Sequence, residues 1–436
     1  MTKNTLLVGF MLFAMFFGAG NLIFPPRLGL ENSANFWPPI FGFIITGVGL
    51  PLIGIIASSF YYGGYKNMLN KIHPWFSIIF LSAIYLSIGP FFAIPRTAAT
   101  AYEMAIIPFI GESETISLLI FTALYFILSL WFALNPSKMV ERIGTILTPL
   151  LLLSILALII KAMFLFNDSV PISVPIENSN QSSFFRGFIN GYLTMDALAS
   201  IAFSVIVVMS IKRKGHSEGT ELIKQTSVAA FVAAIFLALI YIALAWIGKS
   251  ISISQETLTE LATKGQDVGT YILNSAASQA FGSFGRTLLG IIVSLACLTT
   301  TIGLIASVSE YFNEIYHKIS YKTYAVIFTV IGFVLANQGL SAVISKSVPV
   351  LLVLYPIAIT IILLLFINQW VPLSLSGQRV SLLLVTLISI LSVAEISFIQ
   401  ELPLKQYSME WVPFAVIGYI LGWLWQRIVF KSNIAD

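Results

Sequence analysis

Roughly twelve apolar stretches, most near 20 residues long, follow one another from one end of this 436-residue chain to the other. About 20 such residues cross the hydrocarbon core of a bilayer as a helix, and in lipid only helices and closed barrels satisfy their own backbone hydrogen bonds. The stretches fall at 5–29, 36–62, 75–108, 116–134, 138–166, 184–211, 227–248, 286–316, 324–336, 342–370, 379–399 and 411–429. They predict an all-α polytopic membrane protein of about 12 transmembrane helices. Charged residues make up 10% of the chain, against roughly 25% in soluble domains. No connecting segment is long enough to hold a separate soluble domain, so 1–436 reads as one transmembrane unit.

Lys and Arg in the short loops set the orientation. With the N-terminus in the cytoplasm, Lys66, Lys71, Lys138, Arg142, Lys224, Lys318, Lys322, Arg379, Arg427 and Lys431 fall inside, together with the cluster Lys212-Arg213-Lys214. The opposite loops carry fewer. An even span count then places both termini inside.

Two spans carry residues that do not belong in a plain membrane helix. The first is interrupted by Phe16-Phe17-Gly18-Ala19-Gly20-Asn21. Gly costs about 1 kcal/mol in a helix interior relative to Ala, so two of them beside an Asn predict a break. The same residues loosely resemble a signal-peptide cleavage site, the alternative at this point. The sixth span contains Asn190-Gly191-Tyr192-Leu193-Thr194-Met195-Asp196. A carboxylate at that depth is expensive and points to function, although Thr194 or Asp196 also suits the N-cap of a half-helix beginning at Ala197. Breaks at matching places in two halves point to a transporter site. The halves are a first five-helix repeat over 1–166 and an inverted second repeat over 184–370, with two further helices over 379–429.

A broken helix offers unpaired carbonyls at one end and unpaired amides at the other. The carbonyl end suits a small hard cation and the amide end a carboxylate. Together they suit a cation and a zwitterion such as an amino acid. The eighth span adds hydroxyls in Ala296-Cys297-Leu298-Thr299-Thr300-Thr301. Thr299 and Thr300 have the spacing for one face of an oxygen cage, but a membrane Thr usually bonds back to its own helix.

The first span, from Phe16 through Pro26, resembles the unwound first helix of LeuT-fold sodium symporters. With Gly89-Pro90-Phe91, Pro95-Arg96-Thr97 and Leu193-Thr194-Met195-Asp196, the chain more closely resembles the branched-chain amino acid:cation symporter family along essentially its whole length. The resemblance implies a LeuT-like fold and sodium-driven import of leucine, isoleucine and valine. It implies a sodium site of the Ala14 and Phe17 carbonyls with Ala296, Thr299 and Thr300, where Thr300 replaces the family's Ser. It also implies rocking of spans one, two, six and seven against three, four, eight and nine.

On this reading the substrate carboxylate meets the amides of Gly18, Ala19, Gly20 and Asn21. The ammonium meets carbonyls near Tyr192, Thr194 and Met195, helped by Asp196. Asn21 alternatively pins the unwound loop. Tyr192 and Met195 are candidates for an aliphatic pocket in which one methylene is worth only about 1–3 kcal/mol, so discrimination among the three substrates should be poor. Arg96 reads equally as a vestibule or gate residue and as a side chain snorkelling to the interface.

Other chemistry is thinly supported. Cys297 is alone, and His73, His216 and His317 share no motif. No HExxH, Walker A or GxSxG pattern occurs. The net charge of +4 gives no ground for nucleic acid, and no obligatory protein partner is evident. The rivals are a proton-coupled carrier using Asp196, a membrane-embedded enzyme using Asp196 and Arg96, and an amino acid sensor.

Overall fold

The computed structural model describes residues 3–61, 64–111, 114–134, 138–166, 182–213 and 219–431. Lys214 of the basic cluster and most of the loop 167–183 lie outside these, and the side chains of Lys138, Arg142, Arg213 and Lys431 are likewise not described.

The first span is two helices, α1 (Lys3–Phe16) and α2 (Ala19–Glu31), bent by 68° at the break. Val8, Leu12 and Phe13 of α1 are buried, and α1 packs on the seventh span. It is part of the folded bundle, which sets aside the cleavage-site reading. The second span comprises α3 (Trp37–Ile44), a π-type turn over Ile45–Gly49, and α4 (Leu50–Ser59). After the short α5 (Gly64–Ile72), the third runs through α6 (Pro74–Leu86) and α7 (Ala93–Ala105). Between them Gly89 leaves helical geometry at φ −98° and ψ −123°, ahead of Pro90. The third span therefore kinks at Gly89-Pro90, where Pro supplies no amide to the ladder.

A single turn, α8 (Ile107–Ile110), leads to α9 (Thr115–Leu134) and α10 (Lys138–Leu165). The sixth span breaks into α11 (Ser183–Asn190) and α12 (Asp196–Arg213), followed by α13 (Gly219–Ser250). The polar stretch after it forms α14 (Gln255–Lys264) and the first turns of α15 (Val268–Ile315), which is interrupted at Gly282, φ +69°. The remaining helices are α16 (Tyr321–Ala336), α17 (Leu340–Asn368), α18 (Leu375–Val393), the short α19 (Ser397–Gln400) and α20 (Trp411–Lys431). Each of the twelve expected spans is mainly helical over its described residues, apart from the breaks just described and the ends of some spans. Among the described residues, seven helices qualify by length and apolarity alone, and the bent first pair makes an eighth.

The helices pack as two groups. One contains α1 and α2 with α13, α3 with α11, and α4 with α12. The other contains α7, α9, α10 and α16 around α15. Lipid tails are as apolar as Leu, so association inside a membrane relies on close van der Waals approach through small residues. The first group is built this way. A Cβ at Gly29 would lie 1.8 Å from the Ala245 carbonyl oxygen, and one at Gly248 1.8 Å from that of Pro26. Reciprocal contacts join α3 to α11, where a Cβ at Gly42 would lie 2.1 Å from the Phe184 oxygen and one at Gly187 1.8 Å from that of Pro39. Both half-helices that follow or precede a break, α2 and α11, are thus clamped backbone to backbone.

The far end of α2 is closed over by α15. A Cβ at Gly269 would lie 2.0 Å from the Ile23 oxygen. Beside it Glu103 accepts from the Asp267 amide at 3.1 Å and from the Thr270 hydroxyl at 2.5 Å, while Asp267 caps α15 by accepting from the Thr270 amide at 3.0 Å. Burial raises the Asp267 carboxyl above its ordinary range, against the pull of Arg27, which pairs with Glu31 at 2.7 Å. The folded state therefore holds this proton more tightly than the unfolded chain. Its stabilising contribution is complete below the unfolded value of about 3.9 and is lost as pH rises through the raised folded value. Asp267→Asn keeps a cap acceptor and removes the charge. The melting temperature of this variant relative to wild type should climb as pH rises above about 4, and a pH-independent difference would contradict the assignment.

Candidate functional site

At the first break Gly18 is extended, with φ −113° and ψ −169°. Its amide donates not to the helix behind it but to Asn21 Oδ1 at 3.2 Å. A side chain three residues into a helix reaching back to the cap amide is half of a capping box. Two consequences follow. The Ala14 carbonyl loses the amide four residues ahead that would have continued α1. The amides of Ala19, Gly20 and Asn21 open α2 and have no partner within that helix.

Asn21 also closes the second break. Its Nδ2 donates to Asp196 Oδ2 at 2.6 Å and to the Tyr241 hydroxyl, which itself donates to Asp196 Oδ2 at 3.1 Å. All three side chains are buried, and they join α2, α12 and α13. Asn21 thus pins both the unwound loop and the opposite break.

The sixth span unwinds through a 3₁₀ turn over Gly191–Thr194 and then Met195, whose φ of +64° is left-handed. That conformation is uncommon for a residue with a Cβ and is held only where the surroundings impose it. The half-helix begins at Asp196 rather than Ala197, and Thr194 braces the turn ahead of it instead of holding the N-cap position: its hydroxyl donates to the Gly191 carbonyl at 2.9 Å and accepts from the Asp196 amide at 3.4 Å. Asp196 is left to face Asn21 and Tyr241. Thr46, in the π-type turn of the second span, braces the same break by donating to the Phe188 carbonyl at 2.8 Å. Single π turns inside α-helices are frequent at functional sites.

Between the two breaks lies Arg96. Its Nη1 donates to the Leu193 carbonyl at 2.5 Å and its Nη2 to that of Thr194 at 3.5 Å. A Cβ at Gly20 would fall 2.9 Å from Nη2, and the guanidinium sits 5.4 Å from the Phe24 ring centroid. Arg96 is 5% exposed, and it interacts through space with Asp196. Snorkelling is therefore set aside: the side chain bridges the carbonyls of one break and touches the amide end of the other. The bare Cα of Gly20 lets the guanidinium lie close against it; a Cβ there would push the Arg96 and Phe24 side chains aside.

Tyr192 and Met195 are buried, but Tyr192 stacks on Tyr355 at 4.1 Å, on the α17 side of the turn. No hydrogen bond joins Tyr192 to the Asn21–Asp196–Tyr241 cluster among the described residues.

The hydroxyls of the eighth span bond back to their own helix. Thr299 and Thr300 donate to the same Ala296 carbonyl, at 2.8 and 3.1 Å. Ala14, Ala296, Thr299 and Thr300 are all half-buried. Phe17 is buried, its ring stacked on Phe13. Helix α1 packs on α13 and α12 rather than along α15, and no hydrogen bond among the described residues links Ala14 or Phe17 to Thr299 or Thr300. Thr301 turns the other way and joins Thr97 at 2.5 Å and Tyr125 at 2.8 Å.

Two partners escaped sequence reasoning. Tyr241 stands in an unremarkable apolar span, and no local signal distinguishes it. Arg96 was visible as a buried-depth cation, but its contacts with the breaks are 97 and 98 residues away in the chain.

The comparisons agree on the kind of protein. The family model described as "Branched-chain amino acid transport protein" matches residues 1–429. A Staphylococcus saprophyticus protein named "putative branched-chain amino acid carrier protein" is 51% identical over 440 residues, covering 99% of this chain and 98% of that one. A Staphylococcus aureus protein of the same description is 52% identical over 432 residues, 97% of each. Among solved structures, Mhp1, a nucleobase-cation-symport-1 family transporter closed on bromovinylhydantoin, superposes with TM-score 0.61 at 13% identity, over 98% of this chain and 93% of that one. MhsT in complex with L-phenylalanine gives 0.58 at 18% identity, over 96% and 98%. The fold is therefore LeuT-like, and the embedded-enzyme reading gives way to a multi-pass transporter. With family model, relatives and fold in agreement, the chain belongs to the family of branched-chain amino acid transport proteins.

Proposed function

We propose that this carrier imports leucine, isoleucine and valine in symport with sodium, by alternating access across a bacterial cytoplasmic membrane with both termini inside. The observation that carries the reading is the meeting of two helix breaks around Asn21, Asp196, Tyr241 and Arg96. An amide end beside a buried guanidinium attracts a carboxylate, and an ionised Asp196 next to break carbonyls attracts an ammonium. The substrate carboxylate binds the amides of Ala19, Gly20 and Asn21 with Arg96 as counter-ion. The ammonium takes the carbonyls between Tyr192 and Met195, with Asp196.

Sodium takes the carbonyls of Ala14 and Phe17 with Ala296, Thr299 and Thr300. The freed Ala14 carbonyl and the half-buried Thr hydroxyls support this, since oxygen ligands suit a hard cation. Transport rocks the group containing α1–α4 and α11–α13 against that around α15, as the two sets of close packing suggest. The units 1–166 and 184–370 act as inverted repeats, with 379–429 appended.

The second reading is proton coupling at Asp196, favoured by its burial beside Tyr241 and by both Thr hydroxyls already having a carbonyl partner. Leucine uptake into proteoliposomes, with sodium and proton gradients imposed separately, decides between them. Sodium coupling predicts uptake driven by a sodium gradient alone and a Thr299→Ala variant needing at least about tenfold more sodium, equivalent to about 1.4 kcal/mol. If uptake follows protons alone, and Asp196→Asn abolishes that coupling while Thr299→Ala does not, the ion assignment fails. No uptake under any gradient would remove the carrier reading.

A further inference from the structure

Thr301 is the third threonine of the run in the eighth span, and it has no part in the proposed sodium ligands. It is 0% exposed, and its Oγ1 lies 2.5 Å from that of Thr97 and 2.8 Å from the Tyr125 hydroxyl. Thr97 and Tyr125 are buried too. Three helices, α7, α9 and α15, therefore meet at one point through side-chain oxygens.

Three hydroxyls carry three protons, and one order uses each of them once. Tyr125 donates to Thr301, Thr301 to Thr97, and Thr97 to the Ile94 carbonyl at 2.7 Å. The Cys297 carbonyl, 3.0 Å from Thr301 Oγ1, is the alternative acceptor. A buried chain with every donor used is rigid, because each bond polarises the next. Two further contacts fix α7 along α15. Ser294 donates to the Ala101 carbonyl at 3.2 Å, and a Cβ at Gly290 would lie 2.4 Å from the Met104 oxygen.

What this junction holds in place is Arg96. Successive helix residues point about 100° apart, so the turn of α7 that offers Thr97 to α15 offers Arg96 to the sixth break. That turn supports itself poorly. It starts at Ala93, just after the non-helical Gly89 and Pro90, and it contains Pro95, which has no amide to give. The Arg96 amide bonds to Phe92, at the kink itself. The targets of the guanidinium, the Leu193 and Thr194 carbonyls, belong to the other helix group. A side chain reaching from one group to the other needs its own base fixed, since productive site geometry tolerates only about 0.5 Å.

We propose that Thr301, with Thr97 and Tyr125, positions Arg96: the three hydroxyls lock the first turn of α7 to α15 and so set where the guanidinium meets the substrate carboxylate. That Arg96 receives the carboxylate is the functional reading given above, and this proposal rests on it.

The test is leucine uptake by proteoliposomes holding the full-length carrier, with leucinol as competitor. Leucinol keeps the ammonium and the side chain and lacks the carboxylate. Thr301→Val keeps the shape of the residue and removes its hydroxyl. It is expected to raise the KM for leucine about tenfold, or about 1.4 kcal/mol, with Vmax per inserted carrier and inhibition by leucinol both near wild type. Thr301→Ser, which returns the hydroxyl, is expected to recover most of the affinity, and Thr97→Val to shift KM as Thr301→Val does. A purely structural defect would instead lower the amount of folded carrier, and so Vmax, at unchanged KM. An unchanged KM in Thr301→Val, or leucine and leucinol weakened alike, overturns the proposal. A double-mutant cycle on thermal stability, Thr301→Val with Arg96→Lys, needs no substrate. Positioning predicts non-additive shifts, whereas independent sites add. Non-additive shifts in a carrier that takes up no leucine leave the positioning standing and remove the functional reading. Additive shifts overturn the positioning and leave the transport reading untouched.

Discussion

Arg96→Ala is expected to lower leucine uptake by at least 100-fold, about 2.7 kcal/mol, and to lower the melting temperature. The guanidinium serves two carbonyls, those of Leu193 and Thr194, and is the cation interacting with Asp196. Taking it away leaves the carbonyls without these donors and the carboxylate without its counter-charge. Each orphaned carbonyl costs about 1–3 kcal/mol. The same change removes the cation offered to a substrate carboxylate at Gly20. Arg96→Lys separates these contributions. An ammonium keeps the charge but has no planar fork to bridge two carbonyls, so partial uptake is expected. Uptake by Arg96→Ala at wild-type rates, with the protein correctly inserted, would remove Arg96 from the site.

Gly248→Ala should be among the most damaging single methyl groups in the first helix group. The new Cβ would sit 1.8 Å from the Pro26 oxygen, 2.6 Å from its carbonyl carbon and 2.8 Å from its Cα. These are backbone atoms, so no rotamer change relieves the contact, and α13 must move away from α2. Overpacking typically costs about 1–3 kcal/mol and sometimes more; three backbone atoms place this site at the upper end. The displacement would also strain Asn21, which α2 presents to Asp196 and Tyr241. Lower thermal stability together with uptake reduced by at least about tenfold, or about 1.4 kcal/mol, is expected. Gly303→Ala is the control, because a Cβ there meets nothing within 4 Å. If the two variants behave alike, the clamp is not what holds α2 in place.

Much of this was legible before any coordinates. The break at Gly18 is a property of the residues on the spot, since glycine and asparagine destabilise an apolar helix wherever they occur. The polar run from Asn190 to Asp196 announced itself in the same way. That Thr194 serves the second break was readable too, because side-chain bonds of this kind act within a few residues. The sodium ligands were a different case. They came from a resemblance, and the hydroxyls of Thr299 and Thr300 turn to Ala296 as isolated membrane threonines ordinarily do.

By itself the sequence determined that the chain crosses a membrane, about how many times, and where two of its helices come apart. Hydropathy and backbone satisfaction are local quantities, decided within a turn or two. Only the tertiary structure decided what the breaks face. Asn21 meets Asp196 across 175 residues and Tyr241 across 220. Those meetings depend on where glycine lets one helix lie against another, as at Gly29 and Gly248, Gly42 and Gly187. A glycine in the sequence states that close approach is allowed. Which backbone then approaches, and which side chains that contact brings together, is settled by the packing of the whole bundle.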